Sequence, residues 1–110
     1  MRQGEVWFAD LEPTKGSEQS GKRPVVIVSG DTLNEALPIV IVVPVTSKIK
    51  SYPTCVLLYK SRMNGLKKDG EAIPFQIRTI SKKRLGKRIG RITPDELARV
   101  IKGLFVALTH

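Results

Sequence analysis

Six cationic side chains lie within the ten residues 82–91, which read KKRLGKRIGR, and no acidic side chain interrupts them. The 110-residue chain carries 19 basic and 10 acidic residues, a net charge of +9, and the excess lies in its second half. Such a cluster attracts a polyanion: nucleic acid, an acidic protein tail or an anionic membrane surface. A solvated face that only keeps the protein in solution is the alternative interpretation.

The residue types exclude several ways of cutting a polyanion. Because His110 is the one histidine, two imidazoles cannot act together as base and acid. Cys55 is the one cysteine, which excludes an intrachain disulfide and a cysteine-rich zinc site. A two-metal nuclease needs clustered carboxylates, and those of the N-terminal part are scattered. They are Glu5, Asp10, Glu12 and Glu18. We therefore expect no metal and no other cofactor.

Short β-branched runs between turn residues predict a mainly β protein. The continuous runs at 25–28 and 39–43 are typical of central strands that are buried on both faces. Further strands are predicted at 5–10, 54–59, 72–80 and 87–92. This pattern favours a small, strongly bent antiparallel barrel, and the length predicts a single domain over 1–110.

The last segment has the pattern of a helix. Thr93, Pro94 and Glu96 predict a capped helix start. The apolar residues that follow fall on one stripe: Leu97, Val100, Ile101, Leu104, Phe105 and Leu108. We expect this stripe to pack on the sheet. The N-terminus has no apolar signal core and no run approaches the roughly 20 apolar residues of a membrane span, so we expect a cytoplasmic protein.

Four segments, read in order, resemble one family. They are GEVWFADL at 4–11, PTKGSEQSGKRPVV at 13–26, VPVTSK at 43–48 and QIRTI at 76–80. The series is similar to the MazF/PemK family of toxin endoribonucleases from bacterial type II toxin–antitoxin systems, over essentially the whole chain. The resemblance implies an SH3-like antiparallel barrel (the CcdB/PemK-like toxin fold) with a C-terminal α-helix. It also implies a homodimer, metal-independent cleavage of single-stranded RNA at short motifs, and a cognate antitoxin with an acidic tail.

The resemblance also implies roles for particular residues. Arg23 matches the catalytic arginine of the family and Thr46 its catalytic Ser/Thr, while Glu18 matches a loop carboxylate with a catalytic part. Residues matched to RNA binding are Gln19, Ser47, Gln76 and Arg78. Segments 31–38 and 61–70 match no fixed pattern; family loops there vary and help to choose the RNA sequence.

These side chains suit a cleavage in which RNA supplies its own nucleophile. A 2′-hydroxyl attacks the adjacent phosphate, which gives a 2′,3′-cyclic phosphate and a 5′-hydroxyl. The planar guanidinium of Arg23 suits two phosphate oxygens, and Thr46 can donate to the same phosphate. Glu18 is a candidate base for the 2′-hydroxyl, or a loop carboxylate paired with Lys22 or Arg23.

Two other functions remain open from the sequence. The first is a non-catalytic, gyrase-inhibiting toxin on the same barrel, although the ending FVALTH lacks the Trp-Gly-Ile associated with that activity. The second is a plain basic RNA-binding barrel without chemistry.

Overall fold

The computed structural model describes residues 1–11 and 22–110, in which seven strands form one antiparallel sheet. The sheet order is β4-β5-β3-β2-β1-β7, and β6 also pairs with β3. Within these residues no pairing joins β4 to β7, so the bent sheet is not a closed barrel. The mainly β prediction is confirmed. The strands are β1 Glu5–Asp10, β2 Lys22–Ile27, β3 Ile39–Thr46, β4 Val56–Leu58, β5 Gly70–Ala72, β6 Arg78–Ser81 and β7 Leu85–Arg91.

Strands β2 and β3 form the centre of the sheet and are buried on both faces. Val26 and Val43 belong to one apolar cluster, while Ile27 and Val42 belong to a second cluster on the other face. Burial on both faces explains the continuous β-branched runs, because neither face needs polar residues.

The single strand predicted over 72–80 is wrong. Strand β5 ends at Ala72, a short 3-10 helix spans Pro74–Gln76, and β6 begins at Arg78. Pro74 starts the 3-10 helix, where its fixed φ and missing N–H are tolerated. The break allows one edge of β3 to pair with β6 up to Val42 and with β5 from Val45 onward.

Two α-helices are present in the described part, α1 at Asp31–Ala36 and α2 at Pro94–Thr109. The predicted capping box of α2 is confirmed: the Thr93 hydroxyl accepts the Glu96 N–H at 3.0 Å, and the Glu96 carboxylate accepts the Thr93 N–H at 2.9 Å. The short helix α1 lies in the segment that sequence analysis treated as a variable loop. Neither helix has the length and apolar character that a membrane crossing requires.

Helix α2 packs on the sheet through only part of its apolar stripe. Val100 and Gly103 are buried, whereas Ile101, Phe105 and Leu108 are 41%, 65% and 74% exposed. Gly103 sets this rotation, because a Cβ there would lie 2.4 Å from the carbonyl oxygen of Thr54. The prediction that the whole stripe packs on the sheet is therefore wrong for its outer edge.

Cys55 lies just before β4 and is half-buried. Burial raises the pKa of its thiol, and the negative charge of Glu71 raises it further. The thiol is therefore neutral at neutral pH, which fits a small packing residue.

Candidate active site

The register of the two central strands carries Arg23 and Thr46 to the same end of the sheet. Val25 pairs with Pro44 in the antiparallel β2–β3 ladder. Arg23 lies two residues before Val25, and Thr46 lies two residues after Pro44. Continuing this register places Arg23 opposite Thr46, so both residues lie at the same end of the ladder.

At this edge the described residues enclose an open cavity of about 440 Å³ that both side chains line. Ser47, also predicted as a site residue, lines it too. The cationic members of the wall are Lys22, Arg23, Lys48, Lys67 and Lys68, and no acidic side chain is among the described lining residues. This composition suits a ligand with several negative charges.

The hydroxyl of Thr46 is held by the turn that follows β3. Its oxygen accepts the backbone N–H of Lys48 at 3.0 Å. No acceptor for the hydroxyl proton occurs among the described residues, so that proton is available to a ligand. Arg23 is exposed, and no carboxylate of the described ranges forms an ion pair with it. Both residues therefore offer donors to an anion in the cavity.

A buried carboxylate, Glu71, anchors the loop that begins at Thr46. Glu71 is opposite Thr46 in the β3–β5 ladder and only 4% exposed. Its two carboxylate oxygens accept the backbone N–H groups of Lys50 and Ser51, at 3.1 and 3.0 Å. Ser51 has a φ of 54°, a conformation that a side chain disfavours and that these bonds help to hold. Glu71 therefore fixes the path of residues 47–51, which carry Ser47 and Lys48 into the cavity.

Residues 65–68, in the segment 59–69, form another part of the cavity wall. One buried amide side chain stabilises the conformation of this segment. Asn64 is 2% exposed; its side chain accepts the N–H groups of Ser61 and Leu66 and donates to the Tyr59 carbonyl. Gly65 has a φ of 70°, and a Cβ there would lie 2.0 Å from the Ile89 carbonyl oxygen. Only glycine fits, so this wall packs closely on β7. The cavity-lining residues 65–68 fall within the segment 61–70, one of the two segments expected to influence the choice of RNA sequence.

Two of the other predicted site residues, Gln76 and Arg78, are described and lie outside the cavity wall. Gln76 and Arg78 are exposed at the end of the 3-10 helix and the start of β6, and neither is among the described residues that line the cavity. Their contact with RNA stays a prediction. Glu18 and Gln19 lie outside the described residues.

The cationic run 82–91 divides between structural and exposed side chains. The Lys82 ammonium donates to the Asn34 carbonyl, Arg84 donates to the Asp10 carbonyl at 3.0 Å, and Arg88 pairs with Glu5 at 3.0 Å. Three cations of the run hold the fold and are not fully available to a polyanion. The exposed members without an ion pair to a described carboxylate are Lys83, Lys87 and Arg91.

Sequence reasoning missed several residues of this site. Phe8 and the lysines at 22, 48, 67 and 68 line the cavity, but in the sequence they are only one aromatic residue and four of many cations. No motif marked them as neighbours of Arg23 and Thr46. Glu71 did give a local signal, since an acid between Gly70 and Ala72 in a strand must find partners when that strand is buried. In the described ranges no three His, Cys, Asp or Glu side chains cluster as a candidate metal site.

The fold and the cavity define a small antiparallel β protein with an open cavity whose described wall carries five cations and no acid. Residues 2–108 match the family model of the PemK-like, MazF-like toxin of type II toxin–antitoxin systems. The chain belongs to this family.

Individual relatives agree with the family match. The chain is 44% identical over 110 residues to the endoribonuclease MazF9 of Mycobacterium tuberculosis, covering 94% of this chain and 92% of the relative. It resembles a mycobacterial endoribonuclease solved in complex with its cognate antitoxin, with a TM-score of 0.81 and 28% identity over 98% of this chain and 94% of the other. MazF of Deinococcus radiodurans superimposes with a TM-score of 0.83 and 25% identity over 100% and 97% of the two chains. These likenesses favour the nuclease over the gyrase-inhibitor and plain-barrel alternatives.

Proposed function

We propose that this MazF-type toxin endoribonuclease cuts single-stranded RNA at a specific short sequence, without a metal ion, using Arg23 and Thr46. The observation that carries the proposal is that both side chains line one cationic cavity, with donors that no described residue occupies. The RNA 2′-hydroxyl attacks the adjacent phosphorus, the bond to the 5′-oxygen breaks, and the products are a 2′,3′-cyclic phosphate and a 5′-hydroxyl.

Arg23 and Thr46 act on the charge that develops during this attack. The phosphate becomes a dianionic phosphorane, and donors placed around it in advance stabilise it more than the ground state. The guanidinium donates to two oxygens of the phosphorane, and the Thr46 hydroxyl donates one further hydrogen bond to it. The lysines of the rim hold neighbouring phosphates.

Two protons must also move, from the 2′-hydroxyl and to the leaving 5′-oxygen. The described lining residues include no carboxylate or imidazole that could take the first proton. Glu18 is our candidate base; it precedes the cavity residue Lys22 by four positions in the chain and matches the family's loop carboxylate. Arg23 is the candidate donor to the leaving oxygen.

The experiment that tests this function is incubation of the purified protein with single-stranded RNA in EDTA, followed by analysis of the new ends. We expect cleavage at a recurring short motif with cyclic-phosphate and 5′-hydroxyl ends. Loss of cutting in EDTA, or ends with a 5′-phosphate, would contradict the mechanism. Binding without any cutting would support the plain basic barrel instead.

The biological setting follows from the family. We propose that residues 1–110 act as one toxin domain in the cytoplasm, where messenger, ribosomal or transfer RNA is available. A cognate antitoxin with an acidic, disordered tail would inhibit it by covering the cationic cavity. Support comes from the mycobacterial relative solved with its antitoxin and from the positive rim of the cavity.

We further propose a homodimer that buries the outer edge of α2. Ile101, Phe105 and Leu108 form an exposed apolar row at helical spacing, and the described residues of this chain leave it uncovered. We expect Phe105→Glu to convert the dimer to a monomer in sedimentation or light scattering, because a carboxylate in an apolar interface is strongly unfavourable. Lys102→Glu, on a polar part of the same helix, is the control that should stay dimeric. A wild-type monomer at tens of micromolar would refute the dimer.

Glu71→Gln tests whether the anchored loop matters for catalysis. The amide keeps one acceptor but presents an NH₂ group to a backbone N–H, so we expect the free energy of unfolding to fall by about 1–3 kcal/mol. Because Ser47 and Lys48 lose their fixed path beside the site, we also expect kcat for RNA cleavage to fall about ten-fold, with KM changed much less.

The matched control for Glu71 is Glu5→Gln, in a half-buried carboxylate that also accepts a backbone N–H but lies outside the cavity. It should lower the free energy of unfolding without lowering kcat. Equal kcat values for the two variants would show that Glu71 contributes to stability alone.

A further inference from the structure

Residues 59–69 connect β4 to β5 and bring two lysines to the cavity. The β4–β5 ladder ends at the pair of Leu58 with Gly70, so the residues between them belong to a loop without strand pairing. Lys67 and Lys68 are exposed members of this loop and line the cavity. No carboxylate of the described ranges forms an ion pair with either ammonium group. Both lysines are therefore available to phosphates, provided that the loop backbone keeps them at the cavity.

One buried side chain, Asn64, satisfies the backbone of this loop. It is 2% exposed, and its carboxamide oxygen accepts the N–H groups of Ser61 and Leu66, at 3.1 and 2.9 Å. Its NH₂ group donates to the Tyr59 carbonyl at 2.8 Å, and its backbone N–H donates to the Ser61 hydroxyl at 3.1 Å. These bonds all stay within residues 59–66, so Asn64 shapes the loop rather than joining it to another element.

The loop also packs against β7, at Gly65. This residue has a φ of 70°, and the Ile89 carbonyl leaves no room for a Cβ. The next residue, Leu66, is buried and donates its N–H to Asn64. Lys67 follows directly, so the backbone is held by packing or by Asn64 from the contact with β7 to the first lysine of the cavity.

We infer that Asn64 is a positioning residue for RNA binding, which holds Lys67 and Lys68 where they contact phosphates of the bound strand. The inference rests on the proposed RNA cleavage and adds a residue that acts on affinity without touching RNA. A lysine on a loop that must first be ordered loses part of its binding free energy to that ordering. Asn64 makes this ordering a part of folding, so less is lost when RNA binds.

The effect should fall on binding and not on the cleavage step. Arg23 and Thr46 belong to β2 and β3, and Glu71 anchors the loop after Thr46, so their placement does not depend on Asn64. Asn64→Ala should raise KM, and the Kd of an RNA that cannot be cut, about ten-fold, with kcat changed much less. Because fewer phosphates are then held, log Kd should depend less steeply on log salt, by about 0.7 for each lost phosphate contact.

The test is a double-mutant cycle between Asn64→Ala and the pair Lys67→Ala and Lys68→Ala. Sequencing of the 5′-hydroxyl ends left by the wild-type protein gives the motif. Kd is then measured over a series of salt concentrations, with an oligonucleotide of that motif that carries a 2′-deoxy nucleotide at the cut. If Asn64 acts through the lysines, Asn64→Ala should cause no further loss in the variant that lacks them. Additive losses, or an unchanged Kd in Asn64→Ala, would overturn the inference.

Asn34→Ala is the matched control, because Asn34 is also a carboxamide at 2% exposure and lies outside the described cavity wall. Its side chain accepts the Ser29 hydroxyl and donates to the Ser29 carbonyl. The control should lower the urea midpoint of unfolding as Asn64→Ala does, but leave Kd and its salt dependence at the wild-type values. An equal rise of Kd in both variants would reduce Asn64 to a stabilising residue. If Asn64→Ala does not fold, Ser61→Ala removes only the hydroxyl that accepts the Asn64 N–H, and the same cycle is run with a smaller expected loss.

Failure of the proposed function gives a different result. If the wild-type protein cuts no RNA but binds a single-stranded RNA of mixed sequence, the cycle is run with that RNA and decides the role of Asn64 by itself. If the wild-type protein binds no RNA, the proposed function and the positioning role of Asn64 both fail.

Discussion

Arg23→Ala is expected to lower kcat for RNA cleavage by about 10³-fold, measured in single-turnover reactions in EDTA. Loss of one neutral donor to a developing oxyanion typically costs about 10²–10³-fold, and Arg23 supplies two donors and a positive charge. Arg23→Lys keeps the charge but loses the paired geometry, so its rate should lie between those of Arg23→Ala and the wild type.

The effect of Arg23 on RNA binding can be measured separately from its effect on the cleavage step. The other cations of the rim, such as Lys67 and Lys68, still hold neighbouring phosphates, so Arg23→Ala should weaken binding of a 2′-deoxy oligonucleotide far less than it lowers kcat. Arg99→Ala, on α2 and paired with Asp95, is the control and should cut at the wild-type rate. Cleavage by Arg23→Ala within three-fold of the wild type would exclude Arg23 from the chemistry.

The elements that could be predicted from the sequence are those whose signals are local. The start of α2 depends on Thr93 and Glu96, which are three residues apart and satisfy each other. In contrast, the break between β5 and β6 depends on a distant strand, β3. On one edge of β3, Val42 pairs with Arg78 of β6 and Val45 pairs with Ala72 of β5. No pattern within 72–80 reveals that two partners share one edge, although Pro74 marks where the chain leaves it.

The same distinction holds for the site. Arg23 and Thr46 lie within motifs of the family, and the β2–β3 register then carries them to one cavity. Lys67 and Lys68 reach that cavity because Gly65 packs on Ile89, a contact between distant parts of the chain. A lysine in a loop is most often solvated, so nothing in the sequence separated these two from the other surface cations.

The run 82–91 shows that the density of charge along a sequence does not tell how many of its cations are available to a ligand. Its density of charge made it the first candidate for binding a polyanion, yet Arg88 pairs with Glu5 and Arg84 donates to a backbone carbonyl. Arg88 lies on β7, which pairs with β1, the strand that carries Glu5. The cations that line the cavity come instead from β2 and from two loops.

Thr46→Val should lower kcat for RNA cleavage by about 10²-fold, while Thr46→Ser should stay within a few-fold of the wild type. Valine keeps the shape and the β-branch of threonine but removes the hydroxyl, so the phosphorane loses one donor and the Lys48 N–H loses its acceptor. Thr79→Val, on β6 and outside the described cavity wall, is the matched control and should cut normally.

The hydroxyl contacts the Lys48 N–H, and we propose that it also donates to the phosphate; a sulfur-substituted phosphate distinguishes the two roles. If Thr46 donates directly to a non-bridging oxygen, replacing that oxygen by sulfur should slow the wild-type enzyme but slow Thr46→Val much less, because the bond is already absent. If Thr46 only supports the turn at Lys48, sulfur should slow both enzymes equally. Equal slowing would remove Thr46 from the phosphate and leave it the positioning role that Glu71 also has.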